Sequence, residues 1–163
     1  MPRSRDPHAE LPVDPDVAEN NVRGRPLHLH PLHLITVAVG GVAGTLVRFL
    51  VDERLPAGSG GWPTATFVVN VGGALLLGGL LEALARRGHD VGWRRRIRLL
   101  AGTGFCGALT TYSTFAVEID LLTRSDDVGV AVGYAVASVF AGLLATVAGI
   151  ALATGFHRMA SAR

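Results

Sequence analysis

Four long stretches of this chain carry no charge or a single one, and that feature decides most of what it can fold into. They run from Leu32 to Leu50 with charge only at Arg48, from Trp62 to Leu81, from Leu99 to Val117 and from Val128 to Phe156. An α-helix needs about 20 apolar residues to cross the ~30 Å hydrocarbon core of a bilayer, and each stretch has that length or nearly so. A soluble core helix keeps a polar face toward water; four such runs leave almost none. The expected fold class is an all-α membrane protein with four transmembrane helices, the fourth long enough to tilt or to extend past the interface. Only 17% of the 163 residues are charged, and even that figure averages an apolar core with a polar beginning.

Residues 1–31 hold six of the eight prolines, four arginines and five acids, with no long apolar run. Such a segment cannot bury enough surface to offset its ordering entropy, so it is expected to be a disordered polar tail. Its scattered acids make it a poor signal peptide. The triplet His28, His30 and His33 suggests a metal site, but a polar juxtamembrane segment explains it more simply. The expected organisation is the tail at 1–31, a four-helix transmembrane domain at 32–157 and a short C-terminal tail at 158–163. The connectors fit: 52–61 contains Pro56, Gly58, Gly60 and Gly61, 86–96 is basic, and 123–127 is shorter still. Trp62 and Trp93 fall at span edges, where amphipathic rings favour the headgroup level.

All 15 basic residues are Arg, and they set an orientation. With four spans, the tail, the second connector and the C-terminus share a side carrying Arg23, Arg25, Arg86, Arg87, Arg94, Arg95, Arg96, Arg158 and Arg163, against Arg54 and Arg124 opposite. The positive-inside rule then puts both termini in the cytoplasm of a multi-pass protein of the bacterial plasma (inner) membrane. A pI near 9.3 invites a nucleic-acid reading, yet the net charge is only +2 and no basic stripe lies on a soluble helix. Cys106 is alone, which excludes an intrachain disulfide and a cysteine metal cluster.

Small residues dominate the spans, with Gly40/Gly44 and Gly129/Gly133 at the G-x-x-x-G spacing that lets helix backbones approach in lipid. The third stretch is unusually polar: Thr110, Thr111, Ser113 and Thr114 crowd around Tyr112, behind Gly102, Gly104 and Gly107. Two readings fit. Hydroxyls compete with helical hydrogen bonds, so the helix breaks and its free carbonyls can hold a cation, as in broken transporter helices; or it continues, with the hydroxyls bonded back to their own carbonyls. Asn70, mid-span, must face the bundle or a pore to find partners. Tyr134 and Ser138 are four apart on one helix face. Glu82 and Glu118 lie at span ends, so no acid is centred in the membrane as a proton-coupled antiporter requires. No Ser-His-Asp set, H-E-x-x-H or P-loop occurs, which leaves catalysis without a site and the chain is read as not an enzyme.

The segments Gly40-Gly-Val-Ala-Gly-Thr-Leu-Val-Arg48, Thr66-Phe-Val-Val-Asn70 and Gly104-Phe-Cys-Gly-Ala-Leu-Thr-Thr-Tyr-Ser-Thr-Phe115, with Glu118 following, together resemble the Fluc/CrcB fluoride channel family over residues 32–156. The resemblance implies small four-helix chains pairing antiparallel, with a broken third helix, two fluoride pores and one central sodium ion. It implies that sodium is bound by the backbone carbonyls of Gly107 and Thr110. It implies ring edges of Tyr112 and Phe115 toward fluoride, where the aromatic quadrupole is positive, and an amide hydrogen offered by Asn70. Ser113 and Thr114 would help line the path, Tyr134 and Ser138 would extend a polar track, Arg48 would sit near the vestibule, and Glu118 is the matching motif acid. Two positions depart from the family pattern: Tyr112 replaces a phenylalanine, and Gly142 stands where a third hydroxyl of the fourth-helix track is expected.

The function this implies is a fluoride-selective passive channel that exports cytoplasmic fluoride and lowers its toxicity. A multidrug-type four-helix antiporter predicts a titrating acid in the first span, which has none; a structural membrane subunit leaves the Thr-Thr-Tyr-Ser-Thr run beside Asn70 unexplained. The arginine bias adds a complication. An antiparallel homodimer needs copies inserted both ways, which a strong bias opposes, so the partner expected is either a second copy that tolerates the bias or an oppositely oriented homologue.

Overall fold

The computed structural model of the chain describes residues 30–55 and 61–161, with side chains to Met159, and these are helical apart from short connectors. The expectation of a disordered tail, and His28 with it, lies outside the described residues. Helix α1 spans Pro31–Arg54, α2 Thr64–Ala85 and α6 Val128–Ser161. All three are long and apolar enough to cross a membrane. At 1.5 Å per residue, the 22 residues of α2 give a length of about 33 Å.

The third stretch is assembled differently. It opens with α3 (Trp93–Ile97), continues as a π-helix over Arg98–Cys106, and closes with a single turn, α4 (Gly107–Leu109). Thr110 is extended, with φ −80° and ψ 155°. Helix α5 then starts at Ser113 and runs to Arg124. The helical course is therefore interrupted at 110–112, and no intact helix runs from Leu99 to Val117.

The nine-residue π-helix is not foreshadowed by composition. Most π-helical segments are single-turn bulges, and its wider turn is accommodated here by close packing on α1. A β-carbon on Gly40 would run into the Leu100 carbonyl, and one on Gly44 into the Phe105 carbonyl. Gly104 faces them, against Val37 and Gly40. The first G-x-x-x-G pair thus seats α1 on the π-helix backbone. Gly129 and Gly133, by contrast, have nothing within 4 Å of a β-carbon among the described residues. That small face of α6 is open.

Helices α2 and α6 pack along their lengths, with Gly78 against Thr146 and Gly149 against the Leu75 carbonyl. From Ile35 onward the chain forms one compact unit; of the preceding unit, ending at Leu34, only 30–34 are described. The densest packing lies around Tyr134, which is fully buried with Leu122 and Ala131 beneath Trp62, Phe67, Phe115 and Ile119. The basic connector after α2 is tied to itself. Arg94 Nε donates to the His89 carbonyl at 2.8 Å, Arg95 Nε to the Asp90 carbonyl at 2.9 Å, and Arg98 pairs with the Asp90 carboxylate at 2.6 Å.

Candidate functional site

The interruption at 110–112 is held by Asn70. Its Nδ2 donates to the Thr111 carbonyl at 3.0 Å, and its Oδ1 accepts the Thr111 N–H at 2.8 Å. The side-chain amide bonds both backbone groups of one residue, as a neighbouring strand would. Thr111 in turn supports the next helix: from two residues before its start, Oγ1 accepts the Thr114 N–H at 3.2 Å and donates to Thr114 Oγ1 at 3.0 Å.

These bonds have a consequence for the carbonyls. In a continuous helix the Thr111 N–H would bond the Gly107 carbonyl, and the Thr114 N–H the Thr110 carbonyl. Both donors are diverted, one to Asn70 and one to Thr111 Oγ1. Gly107 and Thr110 thereby lose their helical partners. Thr110 itself folds back, with Oγ1 donating to the Cys106 carbonyl at 3.0 Å. Both readings of this stretch are thus partly realised: the helix breaks, and one hydroxyl back-bonds.

A cleft of about 980 Å³ opens on this region. Asn70, Gly107, Thr110, Tyr112, Phe115 and Ser138 all line it. Asn70 carries two amide hydrogens and spends one on Thr111, so one remains. Thr114 accepts from Thr111, which leaves its own hydroxyl proton to donate. Ser138 Oγ is buried and has no hydrogen-bond partner among the described residues. Tyr112 is 81% exposed, its ring 6.2 Å from Phe115, and Phe115 in turn lies 5.1 Å from Tyr134.

Not all the expected residues converge. Arg48 is half-buried on α1 and does not line the cleft, and Ser113 and Thr114 are exposed beside it. Tyr134 shares a helix with Ser138, yet its hydroxyl donates to Glu118 Oε2 at 2.8 Å while Thr66 Oγ1 donates to Glu118 Oε1 at 2.7 Å. The sequence marks Glu118 as an acid at a span end and as the matching motif acid, without naming its partners. Here its carboxylate is half-buried and turned inward, and it engages hydroxyls from two other helices. The spacing of Thr66, four before Asn70 on one helix face, is the signal that links them. Among the described residues no group of three or more His, Cys, Asp or Glu could hold a metal. A cation at the break would have to be held by oxygens of neutral groups.

A family model described as "CrcB-like protein, Camphor Resistance (CrcB)" matches residues 35–150. The chain is 48% identical over 139 residues to "Fluoride-specific ion channel FluC 2" of Leifsonia xyli subsp. xyli (strain CTCB07), covering 84% of this chain and 95% of that protein. It is 43% identical over 123 residues to "Fluoride-specific ion channel FluC" of Pseudomonas fluorescens (strain Pf0-1), covering 73% and 94%. It is 38% identical over 125 residues to the protein of the same name from Bordetella avium (strain 197N), covering 77% and 95%. Matched along most of its length by the family model and by these relatives, the chain belongs to the Fluc/CrcB family of multi-pass membrane proteins.

Proposed function

We propose that this chain is a passive fluoride-selective channel that lets cytoplasmic fluoride leave the cell. The observation that carries the reading is the broken third span held open by Asn70 beside unspent donors. Fluoride is small and tightly hydrated, so a pore must replace its water with closely placed donors yet release it again. The second Asn70 hydrogen, the Thr114 and Ser138 hydroxyls and the edges of Phe115 and Tyr112 provide that without a fixed cation to trap the ion, while Ser113, whose hydroxyl is bonded to Thr111 Oγ1 at 3.3 Å, helps to shape the path. Tyr134 supports the path through Glu118 and does not donate to the anion. Arg48 draws anions toward the vestibule. An inside-negative potential drives efflux by about 2.3 kcal/mol per charge per 100 mV.

Four helices are too few to wall in a pore, and two chains pairing antiparallel would complete it. The open glycine face of α6 and the uncovered cleft suit such a partner. The carbonyls of Gly107 and Thr110, stripped of helical donors, fit a structural sodium ion at the dimer centre, where it would join the two broken helices by oxygen ligation. The arginine bias favours an oppositely oriented homologue as partner, in a plasma membrane with both termini cytoplasmic.

Fluoride efflux from proteoliposomes, followed with an electrode and with chloride as control, tests the function. Fast fluoride-selective efflux without a proton gradient is expected, with loss in the paired substitution Asn70→Ala and Phe115→Ala. Efflux that survives that pair refutes the site. Robust efflux from this chain alone refutes the heterologous partner. Replacing sodium by N-methyl-glucamine during purification should abolish both efflux and dimer stability if the carbonyls hold the ion.

A further inference from the structure

A second cavity, of about 610 Å³, lies between α2 and α6. The residues it takes from α2, among them Leu76, Gly79 and Ala83, point away from those facing the cleft, such as Asn70, Ala74 and Leu81. At 100° per residue the two sets fall on opposite faces of the helix. The groove walls are apolar, and Leu76, Leu152 and Phe156 are each more than half exposed. Its floor is small: Gly79 lies against Gly149.

One end of this groove is different. Arg86, Arg87 and His157 line it there. Arg86 is fixed in place: Nε bonds Glu82 Oε1 at 2.6 Å, Nη2 bonds Thr154 Oγ1 at 3.0 Å, and Thr154 donates to Glu82 at 3.2 Å. This network joins the ends of α2 and α6 and holds the mouth of the groove to one width. A guanidinium has five donors, so Arg86 keeps donors after both bonds. Arg87 has no carboxylate partner among the described residues, and its side chain is exposed. The groove runs from Leu75 to Arg87, a rise of about 18 Å along the helix. That is close to the depth of one leaflet, half of a ~30 Å hydrocarbon core.

We propose that this groove is a binding site for one anionic phospholipid, its acyl chain along the apolar walls and its phosphate at Arg87, His157 and the free donors of Arg86. Charge and apolarity are arranged along the groove in the order of a lipid, head group at the basic end and chain beneath. That end is also the one the arginine distribution assigns to the cytoplasmic leaflet, where basic pockets between membrane helices meet anionic head groups. Nothing in this site depends on fluoride conduction.

The test is native mass spectrometry of the full chain in detergent, titrated with palmitoyl-oleoyl phosphatidylglycerol or with the matching phosphatidylcholine. Phosphatidylglycerol should be retained at least fivefold better. Arg87→Gln should lower its retention about fivefold, the effect of one basic group at an anionic surface, while Arg54→Gln at the other end leaves it unchanged. Ala153→Leu, which narrows the groove, should weaken retention of both lipids. Equal retention of the two lipids, or indifference to Arg87→Gln, overturns the site. Displacement of the lipid by millimolar inorganic phosphate overturns the acyl-chain part and makes it an anion site. Oxidative cross-linking of Leu152→Cys to a second copy would give the groove to a protein interface and likewise overturn the lipid.

Discussion

Asn70→Ala isolates the device that holds the third span open. Two hydrogen bonds disappear, one to each backbone group of Thr111. Leaving a buried polar group unsatisfied costs about 1–3 kcal/mol, so two such groups set a range of about 2–6 kcal/mol. The Thr111 site is half-buried and borders the cleft, where water can replace part of the loss. The lower half of that range, about 2–4 kcal/mol, is expected. The alternative open to the backbone is to return the Thr111 N–H to the Gly107 carbonyl and restore the helix. That would remove one of the two stripped carbonyls, so the same substitution should also weaken any cation bound there.

Two assays separate this from a purely anion-binding amide. Thermal unfolding in detergent should show a loss of several degrees, and hydrogen exchange of a peptide covering 107–115 should quicken by roughly tenfold or more, the factor matching 1.4 kcal/mol. Asn70→Asp keeps the acceptor for the Thr111 N–H but sets a carboxylate oxygen against the Thr111 carbonyl, so it should destabilise too. If Asn70→Ala abolishes efflux while stability and exchange stay at wild-type values, the amide acts on the ion alone and the reasoning fails.

Glu118 and Tyr134 should behave as a coupled pair: Tyr134→Phe and Glu118→Gln, measured singly and together by chemical unfolding, should give a coupling of about 1.5–3 kcal/mol, the range for a hydrogen bond to a charged group. Gly44→Val should prevent the chain from folding, because its β-carbon meets the Phe105 carbonyl, whereas Gly133→Val should leave helix content by circular dichroism unchanged and weaken dimerisation instead. Ser138→Ala removes a buried hydroxyl that has no partner among the described residues; stability should hold or rise by up to about 1 kcal/mol while fluoride efflux falls.

The spans were legible because a bilayer makes a coarse demand: enough apolar residues in a row, which charge-free stretches satisfy openly. α1 and α6 contain the stretches expected of them, α6 running past Phe156 as its length suggested, while α2 starts at Thr64, two residues inside its expected stretch, and continues to Ala85. From its own residues the third span was legible as a conflict, hydroxyls and glycines in a place that should be helix, and only the family resemblance chose the break. Local sequence offers Thr110 and Thr111 several bonds and does not choose among them; the choice depends on Asn70, which is 41 residues from Thr111 in the chain and adjacent in space. The π-helix depends similarly on α1, since Gly40 and Gly44 admit a wider turn that its own residues do not request.

Glu118 makes the same point about the site. From the sequence it is an acid near a span end, and its partners Thr66 and Tyr134 lie on two other helices. Once they are assembled, its carboxylate takes both hydroxyl protons, and Tyr134 has none left to offer elsewhere. What remains is a division of labour set by hydrogen-bond counting. Groups whose donors are spent, Thr111, Thr110 and Tyr134, shape the backbone. Groups with a donor left over, Asn70, Thr114 and Ser138, are those that can meet a dehydrated anion. An Asn can serve on both sides of that division because its amide carries two hydrogens, and no hydroxyl or carboxylate at position 70 could hold the break and still have a proton to offer.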